Sequence, residues 1–212
     1  MIHVSKGAVG VHKVLVICGS VRPTRICHDV ARWVMEALPA GLALELELVD
    51  LANWPLPMDD EPGIPARDTY AHAHTQAWSR KVSEAAGFVF VTPQYNWGYP
   101  APLKNALDHL YKEWARKPAI VVTYGFHGGG KCAAQLRQVL KGLRMRPVRT
   151  MPALTLPEAL KKEAHIDVVL GAFRPAKASV ERAFAQLISK LPSDGEASRG
   201  KTWRWWNRRW RN

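Results

Sequence analysis

The sequence predicts an α/β fold built on one doubly wound, five-stranded, mostly parallel sheet with helices on both faces. Three observations predict it. Apolar strand-length runs alternate with amphipathic helix-length segments from Lys13 to Leu191, and that alternation demands the crossover connections that make neighbouring strands parallel. Three of the runs are continuously apolar or β-branched, as in strands covered on both faces. Unusual Gly- and Pro-rich loops follow strand ends, the edge of such a sheet where ligands bind.

The first strand is Lys13–Cys18, KVLVIC. A helix from Arg25 to about Leu38 follows, with Ile26, Val30, Trp33, Val34 and Ala37 on one face. Ala43–Val49, ALELELV, alternates strictly, which suits an edge strand with one solvated face. Residues 52–67, ANWPLPMDDEPGIPAR, hold too many prolines for a helix or a central strand. A polar helix, Thr69–Ala85, leads to the buried strand Phe88–Thr92. The next helix spans about Ala101–Trp114, with Pro102 tolerated in its first turn. Strand Ala119–Thr123, helix Gly130–Leu143, a fifth strand near Pro147–Met151 and helix Lys177–Leu191 complete the set. The domain is thus expected over 13–191, between an extension at 1–12 and a tail at 192–212.

At 212 residues and 47% apolar content the chain can bury a sizeable core. No apolar run reaches the length of a membrane span. The opening MIHVSKGAVGVHK lacks the apolar centre of a signal peptide, and three widely spaced cysteines make no disulfide framework. Both point to the cytoplasm. The net charge is +12, but residues 199–212, RGKTWRWWNRRWRN, carry six Lys/Arg and no acid, half of that excess. The tail leaves two readings: weak contact with an anionic surface through arginine and tryptophan, or an accessory extension without a dedicated role.

Three loops carry the chemistry. In GSVRPTRIC (Gly19–Cys27), Ser20, Arg22, Thr24 and Arg25 stand where backbone N–H groups open a helix, an arrangement that attracts phosphate; the plainer reading is a turn capped by Thr24. The dinucleotide fingerprint GxGxxG is absent. GFHGGGKC (Gly125–Cys132) falls one residue short of the phosphate loop GxxxxGK[ST], since Cys132 stands where a magnesium-binding hydroxyl is required. A Gly-rich backbone that approaches a flat ligand closely suits it better. In TPQYNWGYP, prolines fix the path and Gly98 permits a tight turn. Tyr95, Trp97 and Tyr99 can frame an aromatic ring system, with Gln94 and Asn96 offering polar contacts to its rim.

A phosphate cradle, an aromatic rim and a Gly-rich floor suit flavin mononucleotide (FMN). On GSVRPTRIC, TPQYNWGYPAPLKNALDHLYKEW and YGFHGGGKC, the chain resembles the NAD(P)H-dependent FMN reductase and quinone reductase family, clearly over 13–143. The resemblance implies a flavodoxin-like sheet and places Ser20, Arg22, Arg25, Ile26 and Cys27 around the FMN phosphate. Pro93, Gln94, Tyr95, Asn96 and Trp97 would line the ribityl chain and the ring edge. Tyr124, Gly125, His127, Gly128 and Gly129 would follow the pyrimidine side, with Phe126 where such loops often carry another glycine. It further implies ping-pong transfer of two electrons from NADPH or NADH, through the flavin, to a quinone, azo compound, free flavin or similar acceptor. No side chain would be a catalyst in its own right. A homodimer or larger assembly is implied, with the Trp54–Pro65 loop bordering the site. The alternatives are an electron carrier without turnover of its own, disfavoured by the basic body, and a phosphate-loop hydrolase, disfavoured by Cys132.

Elsewhere the sequence suggests little chemistry. His72 and His74, two apart on an expected helix, should face different ways and make no metal pair. His109 and His165 read as surface or half-buried, Cys18 as a small core residue, and Cys132 as a thiol that could react. Lys104 and Asp108 have the spacing of an ordinary helix ion pair.

Overall fold

The computed structural model describes residues 11–158 and 165–192; the basic tail lies outside them. The strands are β1 (His12–Cys18), β2 (Leu44–Asp50), β3 (Gly87–Pro93), β4 (Pro118–Gly125), β5 (Arg146–Pro147) and β6 (Ala153–Thr155). The helices are α1 (Cys27–Glu36), α2 (Ala73–Ser83), α3 (Ala101–Asp108), α4 (Gly130–Gly142), α5 (Ile166–Gly171) and α6 (Lys177–Ile188). All pairings are parallel, in the order β2-β1-β3-β4-β5, with β6 also against β4.

Alternation along each central strand builds two cores. Val14, Val16, Cys18, Val89, Val91, Ile120 and Val122 face α1, α5 and α6. Leu15, Ile17, Phe88, Phe90, Ala119 and Val121 face α2, α3 and α4. The continuous apolar runs are therefore strands buried on both sides. β2 lies at the sheet edge, as its alternation predicts. Its Leu44, Leu46 and Leu48 pack on the first core, while Glu47 pairs with Lys13 and Lys81 on the other face.

Two expectations need correction. The fifth strand is two short pieces rather than one. Pro147 and Pro152 have no N–H to give the ladder, so it resumes only where Val148 N–H reaches Ala119 and Thr123 N–H reaches Pro152. Thr150 between them bonds Gln186 of α6 instead, at 2.9 Å through its N–H and 2.8 Å through its hydroxyl. The helix expected to run to Trp114 ends at Asp108, and a single tight turn at Lys112–Trp114 follows. The Trp114 indole donates to the Leu107 carbonyl at 3.1 Å, the acceptor that Tyr111 N–H would take in a continued helix. The short helix α5 has no counterpart in the sequence reading.

Trp114 is fully buried between Trp78, Phe88 and Phe90. Trp114→Ala is expected to destabilise the fold by about 3–5 kcal/mol, as large-to-small changes do in tight cores. Urea unfolding checks this through a lower midpoint at unchanged slope. Among the described residues no helix is long and apolar enough to cross a membrane.

Candidate functional site

β1, β3 and β4 are adjacent, so the three loops at their carboxyl ends meet at one sheet edge. They lie where the chain winds from β1 outward in both directions, the switch point at which doubly wound sheets form their crevice.

The loop after β1 is anchored by Gly19 N–H on Val91, at 2.9 Å. Ser20 is buried, and its hydroxyl lies 3.0 Å from that of Tyr95. The Arg22 guanidinium lies 3.9 Å from the Tyr95 ring centroid, a cation–π contact that ties the first loop to the second. Arg25 behaves differently from Arg22. It pairs with Asp50 at 2.6 Å and donates to the Arg22 carbonyl at 3.0 Å. Its Nε is buried without a partner. Asp50 was not anticipated, although it sits at the last register position of β2, opposite Cys18. Helix α1 begins after Ile26 with no side-chain cap, so Thr24 does not close it.

The loop after β3 is a two-residue turn closed by reciprocal Tyr95–Gly98 bonds, both 2.9 Å. Its left-handed residues are Asn96 (φ 47°) and Trp97 (φ 72°). Gly98, expected to supply the turn, does not. Asn tolerates that conformation, but a bulky tryptophan there is strained. Trp97 is 63% exposed, and Lys131 Nζ lies 2.9 Å from its ring centroid. Tyr99 turns away to pack on the second core, where burial pushes its hydroxyl up to about 12. The three aromatics thus differ: Tyr95 holds Arg22 and Ser20, Trp97 lies exposed against Lys131, and Tyr99 packs on the core. Gln94 bridges this loop to the third, taking Tyr124 with its N–H at 3.0 Å and accepting Cys132 N–H at 3.1 Å.

The Gly-rich loop after β4 turns at Gly128 (φ 71°) and Gly129 (φ 84°). Thr123 fastens it by donating to the Gly128 carbonyl at 2.9 Å. A Cβ on Gly129 would fall 2.7 Å from Thr123 Cβ. Phe126 and His127 are exposed, Phe126 at 38%. Tyr124 is buried in the first core beside Cys27, and burial pushes its hydroxyl above the ordinary tyrosine range. Gln94, Trp97, His127, Gly130 and Lys131 line a cleft of about 420 Å³. Lys131, which the sequence marks only as part of the incomplete phosphate-loop pattern, lines this cleft.

Cys132 is fully buried, with Sγ 3.7 Å from the Pro93 carbonyl and a thiol pushed up to about 12 by burial. It is neither a reactive thiol nor a stand-in for a metal-binding hydroxyl. Cys18 and Cys27 are also fully buried. A thiol reagent such as DTNB is expected to leave the folded chain untouched and to titrate all three cysteines after denaturation.

The family model described as NADPH-dependent FMN reductase matches residues 12–156. An NAD(P)H-dependent FMN reductase of Schizosaccharomyces pombe is 49% identical over 186 residues, covering 87% of this chain and 92% of the relative. A quinone reductase of Escherichia coli is 31% identical over 136 residues, 60% of this chain and 69% of the relative. Among solved structures, an oxidoreductase from Corynebacterium diphtheriae superposes with a TM-score of 0.63 at 16% identity, covering 85% of this chain and 96% of that one. At that identity the superposition speaks for the fold alone.

Proposed function

The chain belongs to the NADPH-dependent FMN reductase family, and on that premise we propose that it is an FMN-dependent oxidoreductase passing electrons from NAD(P)H to quinone-like acceptors. The observation that carries the reading is the meeting of three specialised loops at the ends of β1, β3 and β4, joined by the Ser20–Tyr95 and Arg22–Tyr95 contacts.

The residues present fit FMN. Arg25 Nε is a buried donor without a partner, and buried donors are almost always satisfied. The α1 terminus has no side-chain cap, leaving its first N–H groups for an anion. Arg22, not already committed to a carboxylate, is the stronger candidate for the phosphate. Asp50 offsets the charge of Arg25, which leaves that residue's Nε and rigid placement as its contribution. Ser20 offers a hydroxyl, and Ile26 and Cys27 offer backbone N–H groups.

Bound FMN would supply the redox chemistry, taking hydride from NADPH or NADH and returning two electrons to an acceptor. The chain's part is to bind and orient. Pro93 and Gln94 hold the second loop against β4 and α4. Tyr95 and Asn96 form the rim, and Trp97 offers a ring for stacking. Gly125, His127, Gly128 and Gly129 bring backbone close to a flat ring edge, where N–H groups favour developing negative charge. Tyr124 supports this loop from beneath. The cleft beside Trp97, His127 and Lys131 is where a flat acceptor would enter.

Assembly as a homodimer or larger oligomer, residence in the cytoplasm and the choice of acceptor belong to this proposal. Steady-state kinetics with NADPH and a benzoquinone test it. Turnover that is lost when the flavin is stripped, restored by adding FMN, and gives parallel double-reciprocal lines is expected; turnover that persists in stripped protein would refute it. Sedimentation of the flavin-loaded protein reads the assembly.

A further inference from the structure

A second cluster lies where the Pro-rich segment meets the start of α2 and the end of α3. His72 is not on the helix as expected: it precedes α2 in extended conformation. That turn lets the His72 and His74 rings stack, with centroids 5.3 Å apart and planes within 13°. The His109 ring stands edge-on to His74 at 5.8 Å, and His109 is buried rather than superficial. The ligand atoms of Asp60, His74 and His109 all lie within 4.8 Å of one another.

We propose that Asp60, His74 and His109 form a site for a divalent transition-metal ion of the zinc type. Two imidazoles and a carboxylate are a donor set such ions prefer, with a fourth position left for water. The Asp60 carboxylate oxygens stand 3.0 and 3.2 Å from His74 Nε2. Two ligand atoms each about 2.0–2.1 Å from one tetrahedral ion are separated by roughly 3.3 Å, so an ion fits between Asp60 and His74 as they stand, and His109, within 4.8 Å, closes the site by giving up one of its two ring contacts.

The outer partners are already in place. His109 Nε2 meets the Pro57 carbonyl at 2.8 Å and Nδ1 meets Thr75 Oγ1 at 3.2 Å. Whichever nitrogen takes the ion, the other ring N–H keeps an acceptor, the arrangement that orients metal-bound histidine. His72 donates to the Asp60 carbonyl at 2.9 Å and so steadies the backbone of that ligand. His74 and Asp60 keep 27% and 26% side-chain exposure, which gives an ion a way in. Its effect would be structural. It would tie the Pro-rich segment to α2 and α3, joining contacts already made by Glu61 to Ala71 N–H and by Asn105 to the Leu56 carbonyl.

The test uses untagged, flavin-loaded protein freed of metal by a chelator, then titrated with Zn²⁺ by calorimetry and with Co²⁺ by visible absorption. One Zn²⁺ per chain at a Kd of about 1 μM or tighter, with a Co²⁺ ligand-field band, is expected. His74→Ala and Asp60→Asn, both at partly exposed positions, should each weaken Zn²⁺ binding by about 100-fold or more. Their circular dichroism and urea midpoint, measured without Zn²⁺, should match the parent, and the flavin content of His74→Ala should match it too. No Zn²⁺ uptake by the parent up to about 100 μM would overturn the site. So would uptake unchanged in both variants, because the ion would then be held elsewhere.

Discussion

Gly129→Val is expected to abolish flavin retention and with it NAD(P)H-dependent turnover. Gly129 holds φ at 84°, where a β-branched residue is an outlier. Its added Cβ would also lie 2.7 Å from Thr123 Cβ and 2.9 Å from Thr123 Oγ1. Thr123 cannot yield, because it is buried in β4 and its hydroxyl holds the Gly128 carbonyl. Strain and collision together should cost about 3 kcal/mol or more. The backbone would relieve this by lifting the 125–129 loop away from the ring edge it is proposed to serve. The expected readout is colourless protein whose circular dichroism keeps the α/β signature. Full flavin content in this variant would mean that the loop does not floor the site.

Arg22→Ala should weaken FMN binding by roughly 10–100-fold, the equivalent of about 1.5–3 kcal/mol for one charge-assisted contact to phosphate. Arg22 is exposed and lies on the Tyr95 ring rather than against a carboxylate, so its loss should leave stability nearly unchanged. Arg22→Lys should recover only part of the affinity, since lysine keeps the charge but lacks the planar fork and the stacking. Ser20→Ala should add to the loss, because it removes the hydroxyl shared with Tyr95. Fluorescence titration with FMN and with riboflavin separates causes: the loss should appear with FMN and be nearly absent with riboflavin. Equal losses for both ligands would assign Arg22 to the ring rather than the phosphate.

The sequence revealed those features whose physics is local. Continuous apolar runs identified β1, β3 and β4, and alternation placed β2 at the edge, because burial on one face or two writes itself directly into residue order. The three loops were legible for the same reason: each packs its unusual residues into fewer than ten positions between a strand and a helix. What escaped depends on contacts across the chain. Only the β1–β2 register brings Asp50 to Arg25, so two arginines that look equivalent in GSVRPTRIC differ in role. The Leu107 carbonyl ends α3 because a tryptophan seven residues later claims it. Gly98 seemed the residue to form the turn, yet the Tyr95–Gly98 pairing puts the left-handed conformations on Asn96 and Trp97. The Asp60–His74–His109 cluster is not legible either, because its members lie 14 and 35 positions apart and only the packing of the Pro-rich segment on α2 and α3 brings them together.

The most direct test is a single-turnover cycle without oxygen. Purified, flavin-loaded protein is mixed with one equivalent of NADPH while the visible flavin band is followed; a benzoquinone is then added. The band should bleach promptly and return in full on addition of the quinone, with hydroquinone formed in equal amount. A bound flavin that NADPH leaves oxidised, or a bleached one that the quinone does not restore, would contradict the assignment as an NAD(P)H:acceptor oxidoreductase.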